Sequence, residues 1–236
     1  MSTEKKVLPS HLLGIANQQN SAIKNLPPEL QPIVASRMHE IAARAEELQG
    51  PRARGASRKT AAIHEAGHVV VNRATMGGIF PGPYRVKVYP EYGLEPEVGE
   101  VWLGCTENPP GTPDTLIRPG DVSGMHIHAL RILAGVVAER LFNPTDYRLG
   151  SSIDEQIVGE IAATNIAREI GADHLKVLHV LHQLTADVLR INQLQLLKIA
   201  AWLEKHSKLG GNRLTAMLEG IELPAELVRL GMGGGK

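Results

Sequence analysis

His64-Glu-Ala-Gly-His68 brings two imidazoles and a carboxylate together at a spacing that suits metal-assisted hydrolysis. On an α-helix, residues four apart are separated by about 40° around the axis and about 6 Å along it. Two imidazoles so placed can hold one zinc ion from the same face of the helix. Glu65, beside the first of them, then stands where it can take a proton from a metal-bound water. The pattern implies hydrolysis by metal-activated water, with the peptide bond as leading target, His64 and His68 as ligands and Glu65 as general base.

The run from Ser57 to Val71 reads as the helix that presents these groups, with Ser57 as its N-cap. Ala62, Ile63, Ala66, Val69 and Val70 recur at near-helical spacing, which predicts a buried helix with its histidines turned inward. Burying two imidazoles and a carboxylate without partners is costly, and a metal satisfies all three. Catalytic zinc usually takes three protein ligands and keeps one position for water, so a third donor must come from elsewhere. Cys105, the only cysteine, excludes an intramolecular disulfide and any multi-cysteine site, and its Gly-Cys-Thr setting marks an idle thiol. His126 and His128, two apart on a predicted helix, point about 200° apart and cannot both face one metal, so surface or packing roles are expected. His179 and His182 can share a face, but their stretch is polar and predicts a solvated pair. Asp154 is the stronger candidate. It falls in the first turn of a predicted helix opened by a capping box, Ser152 to Glu155, where the helix dipole favours a carboxylate. Spacing alone leaves it two roles, metal ligand or helix starter.

The remaining pattern predicts a mainly α fold with a small β-hairpin or sheet element. Residues 1–56 read as an extension carrying an amphipathic helix at about 29–49 (Leu30, Val34, Met38, Ile41, Ala45, Leu48) and a basic link. Residues 57–220 form the expected domain and 221–236 a tail. Within the domain, Tyr84–Tyr89 alternates like a half-buried strand and Val98–Leu103 is its expected partner, with a loop over 106–120. Amphipathic helices are predicted over 121–142, from 152 to about 170, over about 174–206 and over 212–219. Twenty-five basic and twenty-five acidic residues cancel, so no global field draws nucleic acid or an anionic membrane. No run of about 20 apolar residues predicts membrane insertion, and a soluble, cytoplasmic protein is expected.

Several stretches, in chain order, resemble the peptidase domain of the FtsH-type ATP-dependent zinc proteases. Thr60-Ala-Ala-Ile-His-Glu-Ala-Gly-His68 is similar to that family's metal-binding helix, and Arg85–Pro90 to the strand that follows it. Leu133–Phe142 is similar to its glycine- and glutamate-containing helix. Gly150-Ser-Ser-Ile-Asp154 resembles the family's Gly-Ala-Ser-Asn-Asp, whose aspartate is the third zinc ligand. Ala162–Gly171 and Leu189–Leu218 resemble its closing helices. The resemblance covers roughly 57–220 and implies a zincin-like domain with Zn2+ held by His64, His68 and Asp154. The departures are the absence of a GxxxxGK[ST] loop and of a membrane-spanning stretch, Ile153 where the family has Asn, and a longer, proline-richer region over 90–120. A stand-alone zinc metalloendopeptidase acting on peptides or unfolded protein segments is the expectation. The competing one is a non-catalytic, zinc-containing binding or regulatory module of the same fold, and a zinc hydrolase of non-peptide amides stands third. Because the family works as hexameric rings, self-association and a separate ATPase partner are both compatible with the resemblance.

Overall fold

The computed structural model describes residues 56–76, 82–91, 101–108, 122–145, 153–225 and 227, with the side chains at 76, 153 and 154 excepted. The expected helix at about 29–49, Ser152 and the Asp154 side chain lie outside the described residues. The architecture is mainly helical with one small antiparallel sheet. Along the chain run α1 (Arg58–Met76), β1 (Arg85–Pro90), β2 (Trp102–Glu107), α2 (Val122–Phe142), α3 (Ile153–Ile170), α4 (His174–Ile191), α5 (Gln193–His206), β3 (Lys208–Gly210) and α6 (Gly211–Leu218). Among the described residues no helix is long and apolar enough to cross a membrane.

α1 begins where its sequence says it should. The Ser57 hydroxyl accepts the Thr60 backbone N–H at 3.1 Å, satisfying one of the amides that a helix start leaves unpaired. Ala62, Ile63, Ala66, Val69, Val70 and Val71 are all buried, because α1 is enclosed by α2, α5 and the sheet. Gly67 lets α1 and α2 approach backbone to backbone. A Cβ there would lie 2.6 Å from the Ala134 carbonyl oxygen.

α2 departs from the amphipathic expectation over its second half. Leu133 through Glu139 are all buried, so this stretch is enclosed all round rather than along one stripe. It ends at Asn143, whose side-chain amide donates to the Thr60 hydroxyl at 3.0 Å and ties the end of α2 to the start of α1. The stretch expected as helices joined by short turns over about 174–206 is two helices meeting at buried Asn192. Its amide donates to the Val188 and Glu222 carbonyls, at 2.8 and 2.7 Å, and its oxygen accepts the Glu222 N–H at 2.7 Å. That clamp brings in the segment after α6, where Leu227 is buried in the same core, so packing continues past residue 220.

The sheet has the order β2-β1-β3. Lys87 pairs with Cys105 and Val86 with Leu209, both antiparallel. Val86, Val88 and Leu209 face the core, while Arg85 and Lys87 on the outer face both pair with Glu107. The Arg85 guanidinium and the Tyr84 hydroxyl hold the Glu107 pKa down to about 2. The partner of β1 is therefore Trp102–Glu107, four residues further on than the expected Val98 start, and residues 106 and 107 belong to this strand rather than to the loop. β3 was not anticipated at all.

Candidate metal centre

The helix α1 offers His64, Glu65 and His68 from one face, and α2 fixes the imidazoles from behind. His64 Nδ1–H donates to Glu139 Oε1 at 2.6 Å, and His68 Nδ1–H donates to the Arg131 backbone carbonyl at 2.9 Å. With both Nδ1 atoms engaged as donors, the neutral rings turn bare Nε2 lone pairs inward, 3.1 Å apart. α3 completes the group with Glu155, whose Oε1 lies 2.8 Å from His64 Nε2 and 2.9 Å from His68 Nε2. Its other oxygen is buried with no hydrogen-bond partner among the described residues.

Three electron-rich atoms crowded within about 3 Å repel one another unless a cation lies among them. In its absence protons take that role. Burial opposes charge on His64, but Glu155, Glu139 and Glu65 outweigh it and raise its pKa well above the ordinary 6.5. Burial likewise opposes charge on His68, and Glu155 chiefly overcomes it. Glu155 is pushed up by burial but pulled further down by the two imidazoles, to well below its ordinary value. Donors held by zinc at about 2.0–2.1 Å in a tetrahedron stand about 3.3 Å apart, so the observed spacings fit a small divalent ion after an adjustment of a few tenths of an ångström. His64, His68 and Glu155 could hold a metal ion, and they are the only such group among the described residues.

Glycines make the space. A Cβ at Gly135 would lie 2.3 Å from His64 Nε2, and one at Gly104 would lie 2.2 Å from Glu65 Cγ. Glu65 itself is 5% exposed, and its Oε2 accepts the Thr106 hydroxyl of β2 at 2.7 Å. Beside these groups opens a pocket of about 480 Å³, bounded by α1, α2, α3 and β2 and lined by Glu65, His68 and Glu155 among others.

The expected residues are thus partly assembled. His64, Glu65 and His68 share the site. Asp154 has its backbone in the first turn of α3, and it is the next residue, Glu155, whose carboxylate meets the imidazoles in place of reaching back to a cap. His126 donates to the Val122 carbonyl of its own helix at 2.7 Å, as a packing role requires, whereas His128 lines the pocket. His179 is solvated, but His182 is half-buried, and burial followed by Arg140 and His179 lowers its pKa to about 4. Cys105 also lines the pocket, and burial followed by the Glu65 carboxylate raises its thiol pKa, in keeping with an idle thiol.

Two carboxylates escaped the sequence reading. Glu139 carried a signal, since a carboxylate directly after the apolar run Leu133–Ala138 needs a partner if the helix stays buried there. Glu155 carried none that separates it from Asp154, because both occupy the same helix start. No protein-family model matches the chain, and comparison with curated proteins finds no matching sequence.

Proposed function

We propose that the protein is a zinc-dependent peptidase with a zincin-like domain, its metal held by His64, His68 and Glu155. The observation that carries this reading is the convergence of those three donors beside a buried, hydrogen-bonded carboxylate, Glu65, at the edge of an open pocket. The resemblance to FtsH-type proteases supports the same chemistry and names Asp154 as third ligand. The contacts of Glu155 favour Glu155.

Bound there, zinc would acidify a water and polarise a carbonyl oxygen. Glu65 takes a proton from the attacking water as its oxygen joins the carbonyl carbon. It passes that proton to the amine nitrogen as the C–N bond breaks. Thr106 keeps the carboxylate oriented, and the bonds from His64 to Glu139 and from His68 to the Arg131 carbonyl keep both Nε2 atoms turned inward. β2 supplies the docking edge. β1 covers one side of it, and no described strand pairs with the other, where Gly104 and Thr106 lie against Glu65. An extended peptide can add there through its own backbone groups, whereas a folded chain has those groups already paired. Substrates are therefore peptides or unfolded segments.

The deciding experiment is Glu65→Gln. The variant should keep zinc at one equivalent while cleavage of an unfolded protein such as casein falls by at least 10²-fold, the range of a lost general base. Cleavage that persists in the variant removes the assignment. Bound zinc with no cleavage by the unaltered protein leaves the binding-module reading in its place.

A further inference from the structure

We infer that Asn72 of α1, faced by Asn108 at the end of β2, forms a carboxamide-binding subsite, one or two residues along the substrate from the bond cleaved. This rests on the peptidase reading and deepens it by naming a second group that the pocket grips.

α1 and β2 run side by side in the same direction. Near the start of both, the Ala56 carbonyl accepts the Trp102 N–H at 2.9 Å, and the Arg58 guanidinium lies over the Trp102 ring. Seven residues further along α1, Glu65 meets Gly104 and Thr106. Seven helical residues rise about 10 Å, the span of about three strand residues, so the two elements keep step. One more such step carries α1 to Asn72 and β2 to Asn108. Side chains alternate along a strand, so Asn108 follows Gly104 and Thr106 on the face towards α1. Both asparagines line the pocket.

Asn72 is 6% exposed, and Arg131 Nε donates to its Oδ1, which turns Nδ2 the other way. Nδ2 has no hydrogen-bond partner among the described residues and is not sealed from solvent, so its N–H groups open on the pocket. The Asn108 side chain is also without a partner among the described residues. A nearly buried donor left open carries a cost that a ligand's acceptor removes. With its oxygen engaged, Asn72 offers donors alone, whereas Asn108 offers an acceptor as well. Together they complement a carboxamide, its C=O towards Asn72 Nδ2 and its N–H towards Asn108 Oδ1. Asn72 stands one turn, about 5.4 Å, beyond His68, and an extended peptide advances about 3.3–3.6 Å per residue. Because Ala56 already takes the Trp102 N–H, the open edge of β2 begins at Gly104, and a peptide docked along it extends towards the two asparagines. Two sources supply the carboxamide: a main-chain peptide unit, or a glutamine or asparagine side chain.

Zinc-loaded Glu65→Gln protein, which binds without turnover, separates them by calorimetric titration. The probes are an N-acetylated, C-amidated hexapeptide of alanine and leucine, and a set in which glutamine replaces one residue at a time. Adding Asn72→Asp keeps the oxygen that Arg131 requires and puts a second oxygen where the donor stood. If the main chain is gripped, that change weakens the plain hexapeptide by about tenfold or more. If a side chain is gripped, glutamine at one position tightens binding by about tenfold or more, and Asn72→Asp abolishes the gain. Asn108→Ala should cost about threefold or more in the same arm, at unchanged zinc content. Asn72→Asp should also keep one equivalent of zinc, and if it does not, Asn108→Ala decides alone. Unchanged affinities in either zinc-replete variant, or no measurable binding by any peptide, overturn the subsite. Because no turnover is involved, these losses without hydrolysis by the unaltered protein defeat the peptidase reading alone, and hydrolysis without the losses defeats only the subsite.

Discussion

At the scale of single residues, the arrangement turns on which side chain supplies the third donor. Glu155 Oε1 touches both Nε2 atoms, and its buried Oε2 lacks a partner among the described residues. An unsatisfied buried oxygen costs about 1–3 kcal/mol, which a bound cation relieves. Glu155→Gln removes the charge while keeping the shape, so zinc affinity should drop by about 10²-fold or more, as loss of a metal contact does. Asp154→Asn should leave zinc content and affinity close to those of the unaltered protein. Competition with a chelator of known affinity measures both. The opposite ranking would return the ligand role to Asp154. His64, Glu65 and His68 were legible in the sequence because their relation is local, one turn of one helix. The roles of Glu139, Arg131 and Glu155 were not, because each depends on contact with α1 across about 60 to 90 positions of chain, which no spacing rule encodes; the apolar run before Glu139 signalled only that its carboxylate needs a partner.

At the scale of elements, the site depends on how closely α1, α2 and β2 approach one another, and glycines set those distances. Gly67 faces backbone, the Ala134 carbonyl oxygen, whereas Gly135 faces a ring, that of His64. The two positions should therefore fail differently. Gly67→Ala forces two packed helices apart and should lower stability by about 1–3 kcal/mol, the usual cost of overpacking. Gly135→Ala has only a side chain to displace. It should leave much of the fold intact while weakening zinc binding at least tenfold, because His64 can no longer hold Nε2 at its observed place. Denaturant midpoints and metal titration of both variants provide the check, and equal effects of the two substitutions on zinc affinity would contradict the distinction. The helices were readable from apolar periodicity and from caps such as Ser57. β2 was misplaced because the expected strand stopped at Leu103, just before a glycine, whereas Gly104 lies inside the strand to clear Glu65. β3, three residues long, is too short to carry a period.

At the scale of the whole molecule, the proposed metal links α1 to α3 through the centre of the fold, so metal, protons and stability are coupled. Glu155 has a folded pKa below its ordinary 4.5 and stabilises the fold above that value, losing its contribution as pH falls through the folded value. His64 and His68 have folded pKa values above 6.5. They stabilise fully below 6.5, and that contribution drains away as pH rises through their folded values. Metal-free protein should accordingly be most stable at about pH 4.5–6.5 and soften as pH rises above 6.5 and the imidazoles lose their protons. Zinc competes with those same protons, so its benefit should run the other way and grow with pH. Zinc at about a thousandfold above its dissociation constant adds about 4 kcal/mol, or roughly 8–16 °C in Tm for a domain of this size. A shift of that order is expected at pH 8 and a markedly smaller one at pH 5.5. Thermal scans with zinc and with chelator at the two pH values read it directly. A zinc effect equal at both, or larger at pH 5.5, would mean that the ion binds somewhere other than among His64, His68 and Glu155.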